Sequence, residues 1–155
     1  MIFTAAIRSG LAVVCASVSF AASAPLMASP SDAWAWKHRV VVVFAPHKRD
    51  ASLTAQRTAL AGTGAHIADR HMAVIEIVNG EAKTVMGTRL DVSASGMKKF
   101  LRKNDDRFEV FLLGKDTGVK LRSTTPVTGD DLFSLIDTMP MRRQEMTAGS
   151  GAKGS

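Results

Sequence analysis

The run Val40-Val41-Val42-Val43-Phe44-Ala45, closed by Pro46, is the most informative stretch of this chain. Four consecutive β-branched residues favour an extended backbone. A continuous apolar run, as opposed to an alternating one, is typical of a strand that is buried on both faces of its sheet. Such strands occur mainly in sheets that helices cover on both sides, so the stretch predicts an α/β fold.

A second apolar run, Met72–Val78, follows the first after a segment of helix length. The segment Ser52–Ala61 is rich in helix-forming residues, and Asp50 or Ser52 can cap its first turn. Strand, helix and strand in this order predict a parallel βαβ unit with a right-handed crossover. The turn pair Asn79-Gly80 then closes the second strand.

The remaining elements are a helix, a hairpin and a further helix, separated by turn residues. We predict that residues 81–91 are mostly loop. The predicted elements are a helix over Ala94–Lys103, hairpin strands over Phe108–Leu113 and Val119–Arg122, and a helix through Leu132, Leu135, Ile136 and Met139 that Pro140 ends or kinks.

This order of elements, β-α-β-α-β-β-α, is that of the thioredoxin fold, and Val40–Pro46 resembles the first strand and following proline of thioredoxins and peroxiredoxins. The resemblance covers about Trp36 to Thr138. It implies an α/β, three-layer sandwich around a central four-stranded mixed sheet.

The residues that carry the chemistry of those families are missing. Thioredoxins place Cys-x-x-Cys after the first strand, where this chain has His47-Lys48-Arg49-Asp50. In the peroxiredoxin pattern Pro-x-x-x-Thr-x-x-Cys, counted from Pro46, Asp50 takes the threonine position and Leu53 the cysteine position. The segment 106–108 also lacks the proline that thioredoxins hold in the cis form. These departures predict a thioredoxin-like fold without disulfide reductase, isomerase or peroxidase activity. The sequence offers no other catalytic motif and no cofactor site, and an enzyme activity of another kind stays open as a third alternative.

Three longer motifs are similar to a family of exported bacterial proteins known as domain of unknown function four-one-seven-four. The family brings no established activity, so the resemblance supports the fold and the cellular address only. The motifs are Trp36-Lys37-His38-Arg39, then Leu113-Gly114-Lys115-Asp116 with Gly118-Val119-Lys120-Leu121, and Ile136-Asp137-Thr138-Met139-Pro140-Met141-Arg142-Arg143-Gln144-Glu145-Met146.

Residues 1–24 have the features of a secretory signal peptide, with one charge at Arg8, an apolar centre and the cleavage motif Ala22-Ser23-Ala24. We predict a leader over 25–35, the folded domain over 36–146 and a disordered tail over 147–155. The single cysteine, Cys15, would leave with the signal, so the mature chain would be cysteine-free. We expect an exported, periplasmic or secreted protein with no membrane span after signal removal.

The composition is that of one ordinary domain: 155 residues, 46% hydrophobic, with 20 Lys and Arg against 14 Asp and Glu and a formal charge of +6. Such apolar content excludes a disordered chain. The densest basic group is predicted to be the solvated face of a helix, and no aromatic pattern is interleaved with it, so we expect no nucleic-acid partner. That group is Lys98, Lys99, Arg102 and Lys103.

The turn after the first strand is the candidate binding site. Its residues, His47, Lys48, Arg49 and Asp50, lie beside the N-terminus of a predicted helix and could bind an anion or a protein partner. The alternative is a solvated turn in which Asp50 caps the helix.

A weaker candidate is a copper site of thioether ligands at Met139, Met141 and Met146, since soft sulfur donors suit Cu(I). The alternative is that these methionines fill the core. Histidines could also bind metal, or could be separate surface residues, since their spacing matches no known ligand pattern. They are His38, His47, His66 and His71.

The sequence as a whole predicts an exported, non-redox, thioredoxin-like domain that acts as a binding or interaction module. Its partner is unknown and could be a protein or a small anion. The alternative function is periplasmic metal handling, with copper bound by methionine or histidine side chains.

The missing thiols lead to a direct prediction about activity. The purified mature chain, which lacks Cys15, should reduce insulin disulfides and turn over peroxide no faster than buffer, because thiol exchange requires a thiolate that attacks sulfur. Absorbance assays of both reactions check this, with thioredoxin as the positive control for insulin reduction and a peroxiredoxin as the positive control for peroxide turnover. A rate above background would contradict the non-redox interpretation.

Overall fold

The computed structural model describes residues 29–151, which form one five-stranded open sheet with helices on both faces. The predicted signal peptide and the start of the leader lie outside the described residues. The elements are a short 3-10 helix Pro30–Ala33, β1 Arg39–Ala45, α1 Ala51–Ala59, α2 Gly64–Asp69, β2 Met72–Val78, β3 Glu81–Gly87, α3 Ala94–Phe100, β4 Glu109–Leu113, β5 Val119–Ser123, α4 Gly129–Asp137 and α5 Pro140–Gly151.

Strand β1 lies in the middle of the sheet, whose strand order is β3-β2-β1-β4-β5. It pairs in parallel with β2 and antiparallel with β4. All seven of its residues are buried, which confirms the prediction of a strand covered on both faces. Each apolar side chain buried in this way contributes roughly 1.5–3 kcal/mol to the free energy of unfolding.

Alternate side chains of β1 enter two separate cores. Val41 and Val43 join the core under α1, α2 and α4, whereas Val40, Val42 and Phe44 join the core under α3 and the 3-10 helix. The second core includes the fully buried Trp34, so the predicted leader is packed into the fold where it meets the domain. The molecule is therefore a mixed α/β structure of three layers.

The prediction of a four-stranded sheet with a loop over 81–91 is wrong, because residues 81–87 form β3, antiparallel to β2. Its exposed and half-buried residues alternate. Because Glu81 and Lys83 are charged, the segment contains no continuous apolar run of the kind that marked the other strands. Asn79 and Gly80 both have a positive φ, 53° and 77°, as a two-residue hairpin turn requires. This Asn-Gly pair was the sequence signal for a further strand.

Three helices also differ from the sequence prediction. The segment before β2 contains α2, and α3 ends at Phe100, two residues before Arg102 takes a φ of 53°. Helix α5 begins at Pro140 and continues to Gly151, so the first part of the predicted disordered tail is helical. Within residues 29–151, no helix combines the length and apolar character needed to cross a bilayer.

Two glycines with similar backbone angles provide a matched test of the hairpin that adds β3. Gly80 and Gly87 have φ values of 77° and 74°, but a Cβ atom at Gly87 would lie 2.0 Å from the Met72 carbonyl oxygen, whereas at Gly80 it would meet nothing within 4 Å. Gly80→Ala should cost about 1–2 kcal/mol for the left-handed backbone. Gly87→Ala should cost about 1–3 kcal/mol more, because the chain must move. Urea unfolding of both variants checks this, and equal losses would contradict the pairing of β3 described here.

Candidate functional site

The predicted turn lies directly after β1, and its four residues have different surroundings. The Asp50 carboxylate accepts a hydrogen bond of 2.9 Å from the Leu53 N–H and caps α1. His47, Lys48 and Arg49 are exposed. Asp50 is therefore committed to the helix, and the three basic side chains remain accessible to a ligand.

Lys48 lies at a groove of about 530 Å³ between α1 and the strands β2 and β3, of which β3 is the edge strand. This volume is within the usual range for small-molecule sites. Val85, at the bulge of β3, is 40% exposed in its wall. The apolar lining consists of Val43, Leu60, Val74, Val78, Val85 and Met86.

The groove also contains an ion pair on its floor. Arg57 donates from Nε and Nη2 to the two carboxylate oxygens of the buried Glu76, at 2.8 and 2.6 Å. These hydrogen bonds raise the pKa of Arg57 above its usual value. Arg57 therefore neutralises the charge of the Glu76 carboxylate within the groove.

The other charged groups of the groove are Lys48, Glu81 and Lys83, and none of them forms an ion pair with a residue in the range 29–151. Three basic and two acidic side chains then give the groove a net charge of +1. An apolar surface with uncommitted ammonium groups suits a ligand that has an apolar body and an anionic group.

A second cluster of polar residues lies at the opposite end of the sheet, where β1 begins and β4 ends. Arg39, with 1% of its surface exposed, donates two hydrogen bonds of 3.1 and 3.2 Å to the Glu145 carboxylate. Lys115 donates to the same carboxylate at 2.6 Å. Each of these residues comes from a different one of the three motifs that carry the family resemblance, so the motifs converge in space.

Further ion pairs continue this cluster through α4 and α5. Arg142 donates to Asp137 at 3.1 Å and also to Asp69, while Arg70 donates to Asp137 at 2.6 Å. Through Asp137 and Arg142, the third motif therefore holds α4 and α5 against Asp69 at the end of α2 and Arg70 after it.

The pKa values of the acids show how tightly these carboxylates are held. Burial alone would raise the pKa of Glu145, but hydrogen bonds from Arg39 and Lys115 outweigh it and lower that pKa. Burial would likewise raise the pKa of Asp137, but hydrogen bonds from Arg70 and Arg142 outweigh it and lower that pKa. Because the charges point at one another, we assign this cluster a structural role.

The weak metal candidates differ in their exposure. Met139 packs against the first core, Met141 is half-buried and Met146 is 38% exposed. In the described part of the chain, no three His, Cys, Asp or Glu side chains lie close enough together to hold a metal ion.

The four histidines have separate environments. His66 packs on Phe133 with ring centroids 5.3 Å apart, and His47 is exposed. The His71 Nδ1 atom lies 3.0 Å from the Lys115 ammonium. Burial, with positive charge nearby, lowers the pKa of His38.

The predicted solvated face of α3 contains one buried base. The Lys103 side chain is only 3% exposed and pairs with Glu109 at 2.9 Å and Asp105 at 2.7 Å. That part of the prediction is wrong, since Lys103 follows the end of α3 instead of continuing its surface. The signal for it was Glu109, an acid inside the apolar run Phe108–Leu113, because a buried acid needs a basic partner.

Fold and sites together define a small α/β domain with a charged groove beside its first helix. The chain belongs to the family described as Domain of unknown function (DUF4174), which matches residues 30–145.

Two relatives are similar to this chain at lower identity. Coiled-coil domain-containing protein 80 from Danio rerio is 26% identical over 128 residues, which cover 72% of this chain and 15% of that protein. Sushi repeat-containing protein SRPX2 from Xenopus laevis is 25% identical over 116 residues, which cover 72% of this chain and 25% of that protein. No solved structure matches the chain.

The Glu145 contacts predict how stability depends on pH. Because the folded state lowers the pKa of Glu145, its ionised carboxylate stabilises the fold fully above the unfolded pKa of about 4.5. That stability is lost as the pH falls through the folded pKa. At pH 7, Glu145→Gln should cost about 2–3 kcal/mol, because Arg39 and Lys115 lose their counter-charge and Glu145 is partly exposed.

Urea unfolding of wild type and Glu145→Gln between pH 7 and pH 2.5 measures this effect. The difference between their free energies of unfolding should narrow as the pH falls below about 4.5. The exposed Glu81 provides the control, and Glu81→Gln should stay within about 0.5 kcal/mol of wild type at every pH. A gap that is absent at pH 7 or does not change with pH would contradict the assigned role.

Proposed function

We propose that this chain is an exported, non-redox binding domain of thioredoxin-like architecture, and that its ligand binds in the groove between α1 and β3. The observation that carries the proposal is the groove itself, of about 530 Å³, which combines an apolar lining with charged side chains, among them the exposed Lys48 of the predicted turn. It joins the binding turn predicted from sequence to a surface large enough for a ligand.

The thioredoxin-like part of the proposal is supported by strand pairing. The order β2-β1-β4-β5, with β1 parallel to β2 and antiparallel to β4, is the arrangement that the thioredoxin resemblance implies for its four strands. Helices lie on both faces of these strands. In this proposal, β3 is an additional strand at the β2 edge.

The non-redox part is supported by the residues that follow β1. Residues 29–151 contain no cysteine, and the position of a redox motif is occupied by His47-Lys48-Arg49-Asp50. The Asp50 carboxylate caps α1 there. The proposed export depends on the signal peptide predicted over residues 1–24.

The class of ligand follows from the groove's lining. Valine, leucine and methionine side chains form most of its surface, so burial of an apolar body would supply most of the affinity. An exposed ammonium such as that of Lys48 adds about 0.2–1 kcal/mol to the binding of an anion. We therefore infer that the ligand is an amphipathic anion.

The match to relatives supports a domain that works as a separate module. The chain spans only 15% and 25% of the length of the two curated relatives, so a domain of this kind occurs there as one part of a longer protein. A domain with its own hydrophobic core can in principle fold alone, as such a module requires.

The fluorescent probe 8-anilinonaphthalene-1-sulfonate tests the groove, since it has an apolar body and one anionic group. N-phenyl-1-naphthylamine is the same framework without the sulfonate and separates the two contributions. Lys48→Gln should weaken binding of the sulfonate probe about two- to fivefold, the equivalent of up to about 1 kcal/mol. It should leave binding of the uncharged probe unchanged. The neighbouring exposed Arg49, outside the groove lining, provides the control Arg49→Gln.

A second pair of variants tests the apolar wall. Val85→Asp should weaken both probes more than fivefold, because it places a carboxylate in the groove. Val119, an exposed valine on the other edge strand β5, provides the control, and Val119→Asp should change neither affinity. Thermal melts confirm that each variant is folded. Equal affinities for wild type, Lys48→Gln and Val85→Asp would overturn the proposed site.

A further inference from the structure

A second cavity, of about 450 Å³, lies between the segment that follows α3 and the strands β4 and β5. It is distinct from the groove under α1, since the two share no lining residue. Its charged lining consists of Arg102, Lys103, Asp105, Arg107, Glu109 and Arg122.

Five of these side chains form one continuous chain of ion pairs. The buried Lys103 ammonium lies between Asp105, at 2.7 Å, and Glu109, at 2.9 Å. Arg107 donates from Nε to the other oxygen of Asp105 at 2.7 Å, and Arg122 donates from Nε to the other oxygen of Glu109. Three bases therefore neutralise two acids.

Arg102 is the fourth base of the cavity, and its side chain forms no ion pair with any residue in the described range. The lining thus has four basic and two acidic groups, a net charge of +2. Hydrogen bonds from Lys103 and Arg107 lower the pKa of Asp105. For Glu109, burial opposes the hydrogen bonds from Arg122 and Lys103, and the net effect lowers its pKa. Both acids are therefore ionised at neutral pH.

Several donors in this cavity remain available. Arg107 and Arg122 pair through Nε, which leaves their terminal nitrogens without a partner among residues 29–151. The buried Lys103 ammonium is held by its two carboxylates and lies 5.4 Å over the Phe44 ring. The Arg122 guanidinium lies 5.3 Å over the Phe111 ring, which holds it in place. Arg102 has a φ of 53°, and such unfavourable backbone geometry is often found at functional sites.

We propose that this cavity binds a phosphate dianion, either free or as the phosphate of a small monoester. The excess of two positive charges matches a dianion, and guanidinium groups with free terminal nitrogens bind phosphate oxygens in pairs. The cavity is larger than a bare phosphate needs, which favours an ester with a small organic body. Asp105 and Glu109 hold Lys103, and Glu109 with the Phe111 ring holds Arg122, so part of the site is in place before the anion arrives.

Isothermal titration calorimetry of the purified protein tests this, with sodium chloride added to keep ionic strength equal in every titration. The probes are O-phospho-L-serine, inorganic phosphate and L-serine. We expect O-phospho-L-serine to bind at least tenfold more tightly than L-serine. Phosphate binding as tightly as the ester would identify the free anion as the source, and weaker phosphate binding would identify the ester.

Variants assign the binding to this cavity. Arg102→Gln should weaken the binding of O-phospho-L-serine about tenfold, and Arg107→Gln should weaken it several-fold. Both variants should fold, because Arg102 forms no ion pair within residues 29–151 and the Arg107 side chain is 88% exposed. Lys99 lies on α3 outside the cavity, and Lys99→Gln should change the affinity less than twofold. Binding of the naphthalene sulfonate probe should be unchanged in all three variants, which separates this site from the groove.

The outcomes that overturn the proposal are equally definite. They are no heat from either phosphate compound, an affinity for L-serine equal to that for its phosphate, or the same affinity in Arg102→Gln as in wild type.

Discussion

Burial of β1 on both faces is the constraint from which the rest of the structure follows. A strand with valines pointing in both directions is stable only if each face is covered, so the chain must build two cores and three layers. Val41 and Val43 contact the layer of α1, α2 and α4, whereas Val42 and Phe44 contact the layer of α3.

Charged residues are placed at the two ends of the same sheet. At the end where β1 begins, Arg39 and Lys115 enclose the Glu145 carboxylate and fix α5. At the end where β1 finishes, Lys103 lies between Glu109 and Asp105. Buried charges are costly unless each is matched, and the two clusters meet that requirement differently. In the cluster around Glu145 the charged side chains pair with one another. In the cluster around Lys103, arginine donors are left facing a cavity.

The additional strand β3 gives the molecule its principal groove. Helix α1 packs on β1, and β3 extends the sheet beyond it, so the same face carries uncovered valine and methionine side chains beside Lys48 and Lys83. A sheet that ended at β2 would have no such groove, since Glu81, Lys83 and Val85 supply its outer wall. The proposed function therefore depends on β3, the strand that the sequence analysis predicted to be a loop.

The sequence by itself determined the central strands, the βαβ unit and the β4–β5 hairpin, because these depend on interactions between near neighbours and on the periodicity of apolar residues. It limited the cap of α1 to Asp50 or Ser52, and the structure shows that Asp50 forms it. It also determined the absence of cysteine from residues 29–151. Only the tertiary structure decided that Glu145 reaches Arg39, across 106 positions of the chain, and that Lys103 is buried beside Glu109. Long-range ion pairs and cavities arise from the packing of whole elements, and no local pattern of residues encodes that packing.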